Sequence, residues 1–122
     1  MENDLYREVL LERLANPINK GEIVAPDLSA RLVNPLCGDE VLLQMRVKDR
    51  KIDQAVYTGN GCAISQVSAS FLAEKIEGKN FSEIASLSEN DILEMLGINP
   101  GPSRLKCAIL SLQVLKQALK NG

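Results

Sequence analysis

Three cysteines stand at positions 37, 62 and 107, and the chain has no histidine. An odd number of thiols cannot pair completely within one molecule, and a chain of 122 residues is long enough to fold without covalent staples. The cysteines therefore read as reduced thiols. Without imidazole, any metal site must be built from sulfur and oxygen, or from a lysine nitrogen. Asp39 supplies oxygen close to Cys37, in the turn Pro35-Leu36-Cys37-Gly38-Asp39. Three thiolates and a carboxylate form a competent tetrahedral site for zinc or a mount for a [2Fe–2S] cluster. Carboxylate oxygen is a hard ligand and holds a soft iron–sulfur centre less firmly than a fourth thiolate, which suits a carrier that must release its cargo.

Each of these residues also has an ordinary structural use. Reduced cysteine is often a small buried hydrophobe, Asp39 is a natural Asx-turn former, and a lysine on a helix is usually solvated. The intervals between the cysteines match no compact CxxC finger, so spacing alone does not join them. Their surroundings argue the other way. Gly38 follows Cys37, and Gly59-Asn60-Gly61 precedes Cys62; glycine relieves crowding around a bound centre and frees backbone amides for its sulfurs. Cys62 precedes one expected helix and Cys107 falls in the first turns of another, and helix N-termini favour the thiolate that binds metal or attacks sulfur. Arg104 and Lys106 add positive charge beside Cys107.

The elements that must position these residues can be read from periodicity. Leu5, Val9, Leu10 and Leu14 make residues 3–15 an amphipathic helix that Asn16-Pro17 ends. Residues 16–28 are rich in turn formers and predict an ordered, irregular connection. A strand follows over 31–36. Val41, Leu43, Met45 and Val47 then alternate with Leu42, Gln44, Arg46 and Lys48, the period of a half-buried strand. Asp49-Arg50 predicts a hairpin turn and 52–58 a third strand, giving a three-stranded antiparallel meander.

The helices come afterwards. Ile64, Val67, Phe71, Leu72 and Ile76 define an apolar stripe for a helix over about 65–77, closed by Gly78. Asn80 with Glu83, and Ser88 with Asp91, resemble capping boxes opening two short helices, the second stopped at Gly97. The stretch Asn99-Pro100-Gly101-Pro102 must bend. From Ser103 onward Ala108, Leu112, Leu115 and Leu119 recur at helical spacing, with Lys116 and Lys120 suiting the C-terminal end. Strands grouped first and helices grouped after predict an α+β fold, a three-stranded antiparallel sheet with helices packed on one face. Residues 1–122 fit one compact domain.

Composition narrows the function classes. Basic and acidic residues number 14 and 16, interspersed for a net charge of −2, so no electrostatic footprint for nucleic acid exists. No apolar run approaches the roughly 20 residues of a membrane span, and the first residues, MENDLYREVL, lack the basic start of a secretory signal. A cytoplasmic protein with no membrane partner is the expectation.

With these residues in hand, the chain resembles the IscU/SufU/NifU N-terminal family of iron–sulfur scaffolds. The likeness runs from Tyr6 to Leu119, through Tyr6-Arg7, Asn16-Pro17-Ile18-Asn19-Lys20-Gly21, Asn34-Pro35-Leu36-Cys37-Gly38-Asp39, Gly59-Asn60-Gly61-Cys62-Ala63-Ile64-Ser65, Ser68-Ala69-Ser70 and Arg104-Leu105-Lys106-Cys107-Ala108. The resemblance implies that Cys37, Asp39, Cys62 and Cys107 are the ligand set, for a [2Fe–2S] cluster or iron, and for zinc in the cluster-free form. It implies Cys107 as the acceptor of persulfide sulfur from a cysteine desulfurase, with a ferredoxin-type electron donor and apo iron–sulfur proteins as further partners.

The pattern is mixed between branches. Lys106 stands where the IscU branch has histidine, as in the SufU branch, and as a hydrogen-bond donor it is a candidate auxiliary residue that orients a persulfide or substrate. The SufU branch typically carries an insertion between the second and third cysteines for which the interval here leaves no room. The stretch Ile98-Asn99-Pro100-Gly101-Pro102-Ser103-Arg104 departs from the proline-rich chaperone-recognition motif of the IscU branch, which speaks against a dedicated Hsp70-type chaperone. Three functions stay open at this level: a cluster scaffold and carrier that is not a turnover enzyme, a zinc-bound sulfur acceptor that stimulates a desulfurase, and a structural zinc interaction module.

Overall fold

The structure, a computed structural model, describes residues 2–35, 38–97 and 101–121, with the side chains of 8–35, 38–97, 101 and 105–121. Helix α1 (Glu2–Ala15) leads into strands β1 (Leu28–Val33), β2 (Glu40–Lys48) and β3 (Lys51–Asn60). Four helices follow: α2 (Ala63–Ile76), α3 (Phe81–Ala85), α4 (Glu89–Leu96) and α5 (Pro102–Asn121). The strands form one antiparallel sheet in the order β1-β2-β3, the expected meander.

The hairpin between β2 and β3 turns on Asp49 and Arg50, both with positive φ (53° and 64°), the backbone that matches the twist of a two-residue hairpin. It pins the register. Leu43 faces Tyr57 and Met45 faces Ala55, so all four side chains point to one side and are buried there. A register shift between Arg46 and Val47 breaks the alternation, which leaves Val47 only partly buried at the edge of the core.

Helices α2 and α5 cover that face. Val67, Leu72 and Ile76 of α2 and Ala108, Leu112 and Leu115 of α5 are buried against Val41, Leu43, Met45 and Ile52. The short helices are closed as their sequences suggest. Ser88 and Asp91 form a reciprocal capping box, Asn80 accepts from the Glu83 amide, and Gly97 ends α4 at φ 69°.

Two features differ from the sequence expectation. Strand β1 runs Leu28–Val33 instead of 31–36, because the Asn34-Pro35 turn closes on itself: the Asn34 amide donates to Asp39 O (2.7 Å) and the Gly38 amide to Asn34 O (2.7 Å). Helix α1 buries less than its pattern suggests. Leu10 packs on the core, but Val9 (38%) and Leu14 (43%) stay exposed, since α1 meets α2 along a narrow line. The Arg13 guanidinium makes much of that contact, stacking on Phe71, pairing with Glu74 and donating to Ser70 Oγ. The side chains of Leu5 and Tyr6, and the bend at Asn99-Pro100, lie outside the described residues.

The connection 16–27 runs along the free edge of β3 and then crosses part of the sheet's second face. Its backbone pairs with β3 through Gly21 N to Tyr57 O and Tyr57 N to Asn19 O (both 2.9 Å), then crosses to β2, where Asp27 N donates to Met45 O (2.9 Å). Ile23 is buried there, and its amide donates to the Gln44 side chain.

Candidate functional site

The site collects at one end of the sheet, where β2 begins and β3 ends. Asp39 sits just before β2 and is almost fully buried, at 1% exposure. A carboxylate in that position needs donors, and one comes from the other side of the meander: the Cys62 amide donates to Asp39 Oδ1 (2.8 Å). This approach explains Gly61. A Cβ built there would lie 2.2 Å from Asp39 Oδ1 and 2.8 Å from its Cα, and Gly61 holds φ at 132°, so no other residue fits without moving Asp39. Gly59 is constrained in the same way by the Glu40 carbonyl, at 2.1 Å from its would-be Cβ.

Cys62 is the N-cap residue of α2, with extended backbone and no capping bond from its side chain. Its thiol faces the carboxylate instead, with Sγ 3.4 Å from Asp39 Oδ2. The cap position is held by neighbours: Ser65 Oγ donates to the Cys62 carbonyl (2.9 Å), and Gln66 Nε2 donates to the carbonyls of Asn60 (3.1 Å) and Glu40 (3.2 Å). Gln66 thereby ties the start of α2 to the ends of β2 and β3.

Cys107 arrives from α5, buried at 6% exposure. One ligand atom from each of Asp39, Cys62 and Cys107 lies within 4.8 Å of the others, close enough for one ion or one edge of a small cluster to bridge all three. The residues that the sequence separates are therefore neighbours in space. Two soft sulfurs and one oxygen are a donor set that fits zinc or iron–sulfur chemistry and does not fit calcium or magnesium, which require oxygen shells. Cys37, the fourth expected ligand, lies outside the described residues.

Lys106 is exposed. It lines a cleft of about 470 Å³ with Leu105, Ile109 and the Asn34-Pro35 turn, beside the face where Cys107 is buried. Arg104's side chain lies outside the described residues. Sequence reading named Ser65, Ser68 and Ser70 only within the family motifs and passed over Gln66; the signal available for Ser68 was a polar residue on the same stripe as Ile64 and Val67.

The chain matches the NifU-like N terminal domain over residues 5–121. It is 31% identical to the zinc-dependent sulfurtransferase SufU of Bacillus subtilis, over 94% of this chain and 89% of the relative. It is 33% identical to the iron-sulfur cluster assembly scaffold protein IscU of Thermotoga maritima, over 95% of this chain and 93% of the relative. Both alignments span 132 positions, more than the 122 residues of the chain, so both relatives carry residues that this chain lacks. Among solved structures, a putative iron-sulfur cluster assembly scaffold protein for the SUF system from Fervidobacterium islandicum superposes with a TM-score of 0.78, at 27% identity, covering 92% of this chain and 94% of that one. By match and fold, the chain belongs to the NifU-like N-terminal domain family of iron–sulfur cluster assembly scaffolds.

Proposed function

We propose that this chain is a cytoplasmic single-domain scaffold on which iron and desulfurase-derived sulfur are assembled into [2Fe–2S] clusters, held by Cys37, Asp39, Cys62 and Cys107 and passed to apo-proteins. The observation that carries the reading is the meeting of Asp39, Cys62 and Cys107 within 4.8 Å, from three separate elements. The cluster is cargo, so the protein acts as a carrier and not as a turnover enzyme.

The chemistry follows from the side chains. The Cys107 thiolate attacks the terminal sulfur of the desulfurase persulfide; a new S–S bond forms on Cys107 as the old one breaks and the desulfurase cysteine leaves as thiolate. The transferred sulfur must then gain two electrons to become sulfide, which is the role of the ferredoxin-type donor. Asp39 contributes the hard oxygen that makes the finished cluster easy to surrender. Lys106, at the cleft beside Cys107, offers a proton donor for an incoming anionic persulfide.

A second reading is supported by the name of the Bacillus subtilis relative, a zinc-dependent sulfurtransferase, and by Lys106. Zinc held by the same residues would keep Cys107 as thiolate until a ligand exchange exposes it to persulfide. The helix architecture offers no membrane-crossing segment among the described residues under either reading.

Anaerobic reconstitution with ferrous iron, cysteine and a cysteine desulfurase tests the proposal, read by visible absorption and Mössbauer spectroscopy of wild type and Cys107→Ser. The scaffold reading expects a [2Fe–2S] spectrum that transfers to an apo-acceptor and is lost or crippled in the variant. Retained zinc, no cluster and stimulation of the desulfurase would replace it with the sulfur-acceptor reading.

A further inference from the structure

Asp39 and Cys62 are joined directly by the 2.8 Å hydrogen bond from the Cys62 amide to Asp39 Oδ1, so their relative placement is fixed by their own contact. Cys107 belongs to α5, and where it stands depends on how α5 is seated against α2. Most of that seating is apolar: Val67 and Leu72 against Leu112 and Leu115. Apolar contact is non-directional and fixes the rotation and slide of a helix only loosely. Directional contacts also cross the interface near the site. Ser68 Oγ donates to the Ala108 carbonyl (2.6 Å), and Ser68 and Ser111 hydroxyls are 3.0 Å apart, all fully buried.

The proton count fixes the direction of the pair. A carbonyl only accepts, so the single Ser68 proton goes to Ala108 O, and Ser111 must donate to Ser68. Ser111 thus leans on Ser68, while Ser68 holds the backbone next to Cys107. The Ala108 carbonyl already belongs to the ladder of α5, so the Ser68 bond is not needed to satisfy it as a helix acceptor. Two serine side chains at 0% and 1% exposure in an otherwise apolar interface are poorly explained as packing.

We infer that Ser68 is a positioning residue for the metal and cluster site: its hydroxyl, bound to the carbonyl of Ala108, the residue after Cys107, sets the seat of α5 on α2 and so the distance of the Cys107 sulfur from Cys62 and Asp39. This rests on the proposed ligand set. It assigns a functional role to a side chain that is no ligand and lies about 9 Å along α2 from Cys62 at the helix rise.

The test is cobalt(II) titration of the full chain, read by the thiolate charge-transfer and ligand-field bands, with thermal melting of each variant in parallel. Ser68→Ala should weaken cobalt binding by roughly 10–100-fold and alter the ligand-field bands, as expected for loss of a partner that orients a ligand. Ser111→Ala breaks only its own bond to Ser68 and should leave affinity within about twofold at whatever melting temperature it has. The double variant Ser68→Ala with Ser111→Ala removes both hydroxyls together, leaves no donor stranded, and should bind cobalt as weakly as Ser68→Ala if that single variant folds poorly. Wild-type affinity and bands in Ser68→Ala or the double variant, while Cys107→Ser loses the thiolate bands, would overturn the positioning role alone. Equal weakening by Ser111→Ala would also overturn it, because the effect would then track stability. Unchanged cobalt bands in Cys107→Ser would remove the ligand set and this inference with it.

Discussion

Asp39 does two jobs with one carboxylate. Oδ1 takes the Cys62 amide proton, and Oδ2 lies 3.4 Å from the Cys62 sulfur, so one side chain both locks the two loops together and presents oxygen beside the thiol. Gly61 makes this possible by lacking a Cβ. Gly61→Ala forces a side chain into Asp39 at a backbone angle unfavourable to it, and is expected to cost about 1–3 kcal/mol in urea unfolding and to weaken zinc binding together. A variant of full stability and full zinc affinity would show that the loops part without penalty. Asp39→Ala removes the hard ligand, and under the scaffold reading it lengthens the lifetime of the assembled cluster; transfer kinetics to an apo-ferredoxin measure this, and unchanged rates would deny Asp39 its part in release.

At the scale of elements, the meander brings Asp39 and Cys62 together because β2 starts where β3 ends, and α2 begins at once after β3. Helix α5 brings Cys107 after a detour through α3 and α4, which are capped at their N-termini by Asn80 and Ser88 and bury Ile84, Ile92 and Leu96 in the core. Asp91 illustrates the electrostatics of such a cap. Its carboxyl is held below the usual aspartate range, first by the Ser88 backbone amide and then by the Ser88 hydroxyl, with burial opposing weakly. A carboxyl lowered by folding adds stability above its unfolded value, and that increment is lost as pH falls through the lowered folded value. Asp91→Asn should therefore lower the melting temperature near neutral pH and converge on wild type in strong acid. Parallel melting curves across the whole acid range would mean that the carboxylate charge contributes nothing there.

For the molecule as a whole, the core and the site are separable. Leu43, Met45, Ile52, Leu72, Ile76 and Leu115 are all within 1% of complete burial and form a continuous cluster between sheet and helices, which among the described candidate site residues includes only Cys107. A scaffold that loads and unloads cargo needs such independence. Chelation should leave the cooperative melt in place, while saturating zinc raises stability only by linkage, about 2.7 kcal/mol at a hundredfold excess over Kd. Collapse of the melt on metal removal would instead identify a structural zinc domain, in which binding energy is folding energy.

The chain's local patterns determined much of this. Alternation at Val41, Leu43 and Met45, the hairpin at Asp49-Arg50 and the cap pairs at Ser88 and Asp91 are short-range signals, and the structure keeps all of them. Residue chemistry likewise marked Cys62, by the glycines before it, and Cys107, by its place in the first turns of a helix beside Arg104 and Lys106, while Asp39 joined them as the oxygen donor next to Cys37. What local pattern could not convey was distance. That the Cys62 amide is spent on Asp39, that residues 16–27 flank β3 and cross the second sheet face, that Val9 and Leu14 of α1 remain exposed, and that Ser68 reaches the Ala108 carbonyl all depend on how elements far apart in sequence are seated on one another. Periodicity tells a side chain which face it occupies; only closure of the whole core decides which atom of another element it meets there.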